Sequence, residues 1–157
     1  MVKKILFVCL GNICRSPAAE GIFKRKIKDR GLENLFFVDS AGTGGWHVGN
    51  LADPRMRDTA LSRGIEITSR SRQIDANDLE EFDHILVMDK DNLQAVKSLI
   101  QDPLNPVNYK IKLILSYSKD SQLEEVPDPY YGGQNGFDKV LDLLDNAINE
   151  LINSLTD

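Results

Sequence analysis

The chain has 157 residues, with Lys+Arg 19, Asp+Glu 24 and a formal net charge of -5 at pH 7. Hydrophobic residues make up 41% and charged residues 27%, ordinary globular values that exclude global disorder, collagen and coiled coil. The acidic balance argues against a general nucleic-acid or membrane-surface binder, and no apolar run approaches the roughly 20 residues of a bilayer span. The start Met1-Val2-Lys3-Lys4 resembles a signal opening, but no small-residue cleavage site follows. Only Cys9 and Cys14 are present, which excludes a disulfide scaffold and suggests a reducing cytoplasm. His47 and His84 stand alone, so no metal site is expected. The length suits a single domain over 1–157.

Residues 5–8 form an apolar run, as expected of a strand buried on both faces. Pro17 marks a helix start, Ala19, Ile22, Phe23 and Ile27 recur at helical spacing, and Gly31 marks the stop. The late basic run over 24–30 reads as a solvated face that suits the helix dipole. Residues 35–38 read as a second strand ending at Asp39-Ser40, followed by a glycine-rich loop carrying Trp46. Asp53-Pro54 starts a helix that Gly64 stops, and a weaker helix is predicted over 75–82, its acidic residues read as solvated surface. A third strand is predicted over 84–88, then a helix from Asp89 through Leu93, Val96 and Ile100, and a fourth strand over 111–115. Phe137, Val140, Leu141, Leu144, Ile148, Leu151, Ile152 and Leu155 give the last helix the cleanest apolar stripe. Strands alternating with helices predict an α/β fold, a doubly wound three-layer sandwich around a four-stranded parallel sheet. Ligands in such folds bind beyond the carboxyl ends of the strands. Those ends fall near Cys9, Ser40, Asp89 and the loop after Leu115.

The first of these carries the strongest chemical signal. Strand one runs into Val8-Cys9-Leu10-Gly11-Asn12-Ile13-Cys14-Arg15-Ser16-Pro17. A strand, a short loop and a helix start form an anion cradle of free N–H groups, aided by the helix dipole. Gly11 and Asn12 tolerate the left-handed backbone of a tight turn. Arg15 offers a planar fork that matches two phosphate oxygens. At the mouth of the cradle Cys9 is set up as a nucleophile, its thiolate favoured by amides, Arg15 and the Ser16 hydroxyl. A cysteine ending a strand is usually a small core residue, but Cys9, Arg15 and Ser16 together at this spacing are rare. Cys14 is open between packing behind the loop and serving as a redox partner.

Pro127-Asp128-Pro129-Tyr130-Tyr131-Gly132-Gly133 alone reads as a turn. It follows strand four, so it lies on the same sheet edge as Cys9, where its carboxyl could protonate a leaving oxygen. Trp46, Tyr130 and Tyr131 are candidate walls of a slot deep enough to favour a phenyl ring. His47 reads as a solvated loop residue.

These motifs together resemble the low-molecular-weight protein tyrosine phosphatases. The resemblance rests on 7–17, on Val38-Asp39-Ser40-Ala41-Gly42, on Trp46 with Val48-Gly49, and on Asp53-Pro54-Arg55. It continues through Arg72-Gln73-Ile74, Met88-Asp89 with Asn92-Leu93, and Val126 to Gly133. It implies that Cys9 is the nucleophile, Arg15 the phosphate ligand and Asp128 the general acid and base. Asn12, Ser16 and Ser40 match loop-bracing residues, and Leu10, Gly11, Ile13 and Cys14 complete the binding loop. Family members often carry a histidine where Ser69 aligns, so weaker bracing of Asn12 is expected here. No cofactor or metal is implied. The implied partners are tyrosine-phosphorylated proteins, with inorganic phosphate as product or inhibitor, and the chain is expected to be a monomer capable of weak self-association through its slot aromatics.

Three other functions compete. Arsenate reduction on the same loop needs resolving cysteines, and none follows Cys14. Phosphoarginine-directed relatives tend to carry threonine where Ile13 stands and a single aromatic in the acid loop. A non-hydrolysing phosphocysteine carrier needs neither Arg15 nor Asp128.

Overall fold

In the computed structural model, which describes residues 1–119, 121–130 and 132–156, four parallel strands form one sheet in the order β2-β1-β3-β4. β1 is Lys3–Cys9, β2 Phe36–Gly42, β3 His84–Val87 and β4 Ile111–Leu113. The helices are α1 (Arg15–Asp29), α2 (Pro54–Leu61), α3 (Ala76–Glu81), α4 (Lys90–Lys97) and α5 (Asn135–Thr156). Alternate β1 side chains face opposite layers. Ile5, Phe7 and Cys9 pack with α1, α2 and α5, whereas Leu6 and Val8 pack with α3 and α4. This double burial explains the unbroken apolar run of β1, and the architecture is the doubly wound α/β sandwich expected.

The differences lie at element ends. α1 starts at Arg15, two residues before Pro17, because proline is tolerated throughout a first turn whose N–H groups have no helical partner. β2 runs beyond Asp39-Ser40 to Gly42, because the backbones of Ala41 and Gly42 pair with Val8 and Cys9. β4 is only three residues long, matching the Ile85–Val87 segment it pairs with. The chain then tightens into a 3-10 turn at Ile114–Tyr117. α4 ends at Lys97, short of Ile100.

The basic run is not simply solvated. Lys26 pairs with Asp145, and Arg30 donates to the side-chain oxygen of Asn153, so the run ties α1 to α5. Nor is the acidic stretch all surface, since Asp78 is buried and pairs with Arg72. Among the described residues no helix is long and apolar enough to cross a membrane.

Candidate active site

Because the sheet is parallel, the carboxyl ends of its strands share one edge. Residues 10–14 leave β1 there and turn back into α1, with Asn12 at φ 57 the one non-glycine residue of positive φ among those described. The loop is gripped from behind by its carbonyls. Thr43 N–H donates to Cys9 O at 2.9 Å, Gly44 N–H to Leu10 O at 2.9 Å, the Ser71 hydroxyl to Gly11 O at 3.0 Å, and Asp53 N–H to Ile13 O at 2.8 Å. None of the N–H groups of residues 10–14 donates to an acceptor among the described residues. A run of amides without partners at the head of a helix is an anion cradle. Gly42 allows the close approach behind it, since a Cβ there would lie 2.8 Å from Leu10 O. Gly11 is needed for space rather than for a left-handed backbone: its φ is not positive, and a Cβ would come within 3.0 Å of the His47 ring.

Asn12 is held at every polar atom of its side chain. Its Oδ1 accepts from Arg72 N–H at 3.0 Å, and its Nδ2 donates to Ser16 Oγ at 2.8 Å and to Ser40 Oγ at 3.0 Å. The weak bracing expected from Ser69 is therefore not found. The backbone of Arg72 and the two hydroxyls fix the amide, and Ser71 adds a bond to the loop.

Cys9 is buried, with Sγ 3.0 Å from Ser16 Oγ. Arg15 is buried too. Its Nη1 donates to Asp89 Oδ2 at 2.6 Å and to Val126 O at 3.0 Å, while Nη2 lies 3.5 Å from Asp128 Oδ2. Burial works against its charge, but the Cys9 sulfur and the carboxylates of Asp89 and Asp128 outweigh it and hold the guanidinium protonated. Asp89, a possible alternative acid on position alone, is engaged by Arg15 and caps α4 through Asn92 N–H at 2.7 Å. Burial first, then the charges of Asp53, Cys9 and Asp128, pushes the Cys14 thiol up.

A cleft of about 450 Å³ opens above this floor. Cys9 and Arg15 lie at its base, with Leu10, Gly11, Ile13 and Cys14 along the loop side. Asp128, Trp46 and Tyr130 also line it, with Trp46 71% exposed at the rim. Asn12, Ser16 and Ser40 stand behind the loop as braces. Tyr131 lies outside the described residues.

His47 corrects the sequence reading: it lines the cleft beside Tyr130, ring centroids 6.3 Å apart. Arg55 was also missed as an organiser. Its Nη2 donates to Tyr130 O at 3.1 Å and its guanidinium lies over the Tyr130 and Phe137 rings at 5.6 and 4.8 Å. The Arg55 bond in turn holds the Asp53 carboxyl below its ordinary range. Its neighbours Asp53-Pro54 signalled only a helix start, and nothing in that triplet named the acid loop as its target.

A cysteine beside an amide cradle, a buried arginine and a carboxyl across the cleft are the parts that a phosphate-ester hydrolase uses. The family model for low molecular weight phosphotyrosine protein phosphatase matches residues 4–157, and the chain belongs to that family of hydrolases. The Synechocystis sp. protein slr0328 is 49% identical over 152 residues, 97% of this chain and 96% of the relative. A protein tyrosine phosphatase from Entamoeba histolytica, crystallised with Hepes in the active site, superposes with a TM-score of 0.93 at 42% identity, covering 98% of this chain and 96% of that one. DARP, the Drosophila arginine phosphatase, superposes with a TM-score of 0.90 at 33% identity, covering 98% of each chain.

Proposed function

We propose that residues 1–157 act as one metal-independent domain that hydrolyses phosphotyrosine on proteins through a cysteinyl phosphate. The observation that carries this is the cradle of amides between Cys9 and Arg15 that meet no acceptor among the described residues, with Asp128 on the facing side of the cleft. A phosphoryl group enters with its oxygens on the amides and on the Arg15 N–H groups that Asp89 and Val126 leave open. Cys9 Sγ attacks phosphorus as the P–O bond to the phenol breaks, and Asp128 protonates the departing oxygen. Water then attacks phosphorus and gives a proton to Asp128. The S–P bond breaks, the thiolate leaves toward the Ser16 hydroxyl, and inorganic phosphate departs.

The apolar side of the slot favours an aromatic substrate. Ile13, Tyr130 and the rim residue Trp46 offer surface to a phenyl ring, whereas a phosphoarginine guanidinium would leave donors facing Ile13. The competing substrate is a real one for this fold, as the arginine phosphatase shows. Inorganic phosphate, as product, competes for the cradle. The two free thiols suit a reducing, cytoplasmic setting. The chain works as a monomer, its exposed Trp46 and Tyr130 allowing weak self-association.

The test compares turnover of free phosphotyrosine, phosphoserine and phosphoarginine in the presence of a chelator. Phosphotyrosine is expected to exceed both by at least about 100-fold in kcat/KM, the scale on which a shaped site separates substrates. Preference for phosphoarginine, or loss of turnover on chelation, would overturn the assignment.

A further inference from the structure

Behind the loop lies a buried carboxylate for which the proposed chemistry gives no task. Glu20 sits in α1, 4% exposed. The Ser40 hydroxyl donates to its Oε1 at 2.6 Å, and its Oε2 meets Lys24 Nζ at 2.5 Å. We propose that Glu20 is a positioning residue that acts through Ser40 and Asn12 to turn the Ser16 hydroxyl toward Cys9.

A serine hydroxyl has one hydrogen, and Ser40 gives its hydrogen to Glu20. Toward Asn12, Ser40 Oγ is left with lone pairs only. The amide must therefore turn Nδ2 toward Ser40, the same orientation that Arg72 N–H demands by pointing at Oδ1. The second Nδ2 hydrogen then falls on Ser16 Oγ, which accepts at 2.8 Å. The Ser16 hydrogen is left for Cys9 Sγ at 3.0 Å, with Ala41 O at 3.4 Å as the weaker competitor. All four members are at least 96% buried, so water does not compete along the line. Lys24 fixes the far end. An ammonium has only donors, so it holds an oxygen of residue 20 toward itself.

The experiment uses this constraint. In Glu20→Gln the oxygen of the new amide stays on Lys24 and its NH2 turns to Ser40. Ser40 Oγ is then met by NH2 groups from both sides with no acceptor for its own hydrogen, and Arg72 N–H alone still orients Asn12, so the directed line is weakened. The readout is the rate of Cys9 alkylation by iodoacetamide against pH, which reports thiolate without requiring turnover. The charged and titratable groups around Cys9 are Arg15 with its partner Asp89, Cys14, and Asp128 and His47 in the same cleft, and none of them is altered. Weakening the line is expected to raise the half-maximal pH by about one unit, the scale of a weakened charge-assisted bond. Loss of a nearby negative charge alone would lower it, so the sign separates positioning from bulk electrostatics. Combining Glu20→Gln with Lys24→Met frees the amide oxygen to face Ser40 and is expected to restore the wild-type profile. An unchanged or lowered midpoint in Glu20→Gln, or no rescue in the pair, would overturn the proposal. The inference rests on Cys9 being the nucleophile, and that reading is tested separately by wild-type turnover of phosphotyrosine. If Glu20→Gln does not fold, Ser40→Ala decides instead: it cuts the same line with Glu20 and Lys24 in place and is expected to raise the midpoint by about one unit, and an unchanged midpoint would overturn the route through Ser40.

Discussion

Arg15→Lys isolates what the guanidinium fork contributes. Arginine has five N–H donors. Nη1 directs its pair to Asp89 Oδ2 and Val126 O, which leaves Nε and Nη2 for a phosphoryl group, with Asp128 beside Nη2 at 3.5 Å. Lysine keeps the charge but has three donors on one atom, and they cannot hold Asp89, Val126 and two phosphate oxygens together. The loss is at least one charge-assisted hydrogen bond to phosphate, plus an incompletely partnered Asp89 or Val126 carbonyl. At about 1.5–3 kcal/mol for the first and a similar penalty for the second, the total is about 3–6 kcal/mol. At about 1.4 kcal/mol per decade, kcat/KM falls by roughly 100- to 20,000-fold. Initial rates with para-nitrophenyl phosphate, together with the inhibition constant for inorganic phosphate, measure it. A loss under tenfold with unchanged phosphate inhibition would mean that Arg15 does not carry the phosphoryl group.

Cys9→Ser is expected to lose turnover while still binding phosphate or vanadate, because a serine hydroxyl is a much weaker acid than a thiol; hydrolysis above background in a clean preparation would remove Cys9 from the nucleophile role. Asp128→Asn is expected to slow phenyl phosphate by about 100-fold or more and activated aryl phosphates less, since a phenol of pKa about 10 most needs the proton; an unchanged slope of rate against leaving-group pKa would place the acid elsewhere. Peroxide is expected to convert Cys9 to a sulfenic acid, which the Cys14 thiol then captures as a disulfide with loss of water; recovery with dithiothreitol as full in Cys14→Ser as in wild type would make Cys14 a packing residue. Since burial holds Cys14 in its thiol form, capture is expected to quicken as pH rises, and mass spectrometry of the peptide bearing both cysteines would time it.

Patterning with a physical period was readable from the chain. The apolar run of β1 and the stripe of α5 appear in the fold almost residue for residue, because burial on two faces or on one stripe leaves a direct trace in composition. The cradle was readable because loop, helix start and Arg15 are contiguous. Contacts between distant segments left no such trace. Asp89 looked like one strand-end carboxyl among several until Arg15 was seen at 2.6 Å. Arg55, His47 and Glu20 owe their importance to neighbours 75, 83 and 20 positions away, and a lone histidine or an exposed arginine is commonly a surface residue. The end of β2 was missed because Ala41 and Gly42 look like loop by propensity, while pairing with β1 makes them strand.

The grip on the phosphate loop has a consequence for when the protein becomes competent. Asn12 has a left-handed backbone that an isolated peptide would seldom hold. It is fixed by Ser40 and by the backbone of Arg72, 28 and 60 positions downstream, and Thr43, Asp53 and Ser71 secure the loop's carbonyls. Every one of those anchors closes a long stretch of chain, so it forms after the local helices, when β2 and the segment around residue 72 have docked on β1. A fragment ending within α1 would contain the whole signature and bind no phosphate. Recovery of phosphate binding during refolding accordingly times the arrival of the 70–73 segment, and lags the far-ultraviolet signal of α1 and α5.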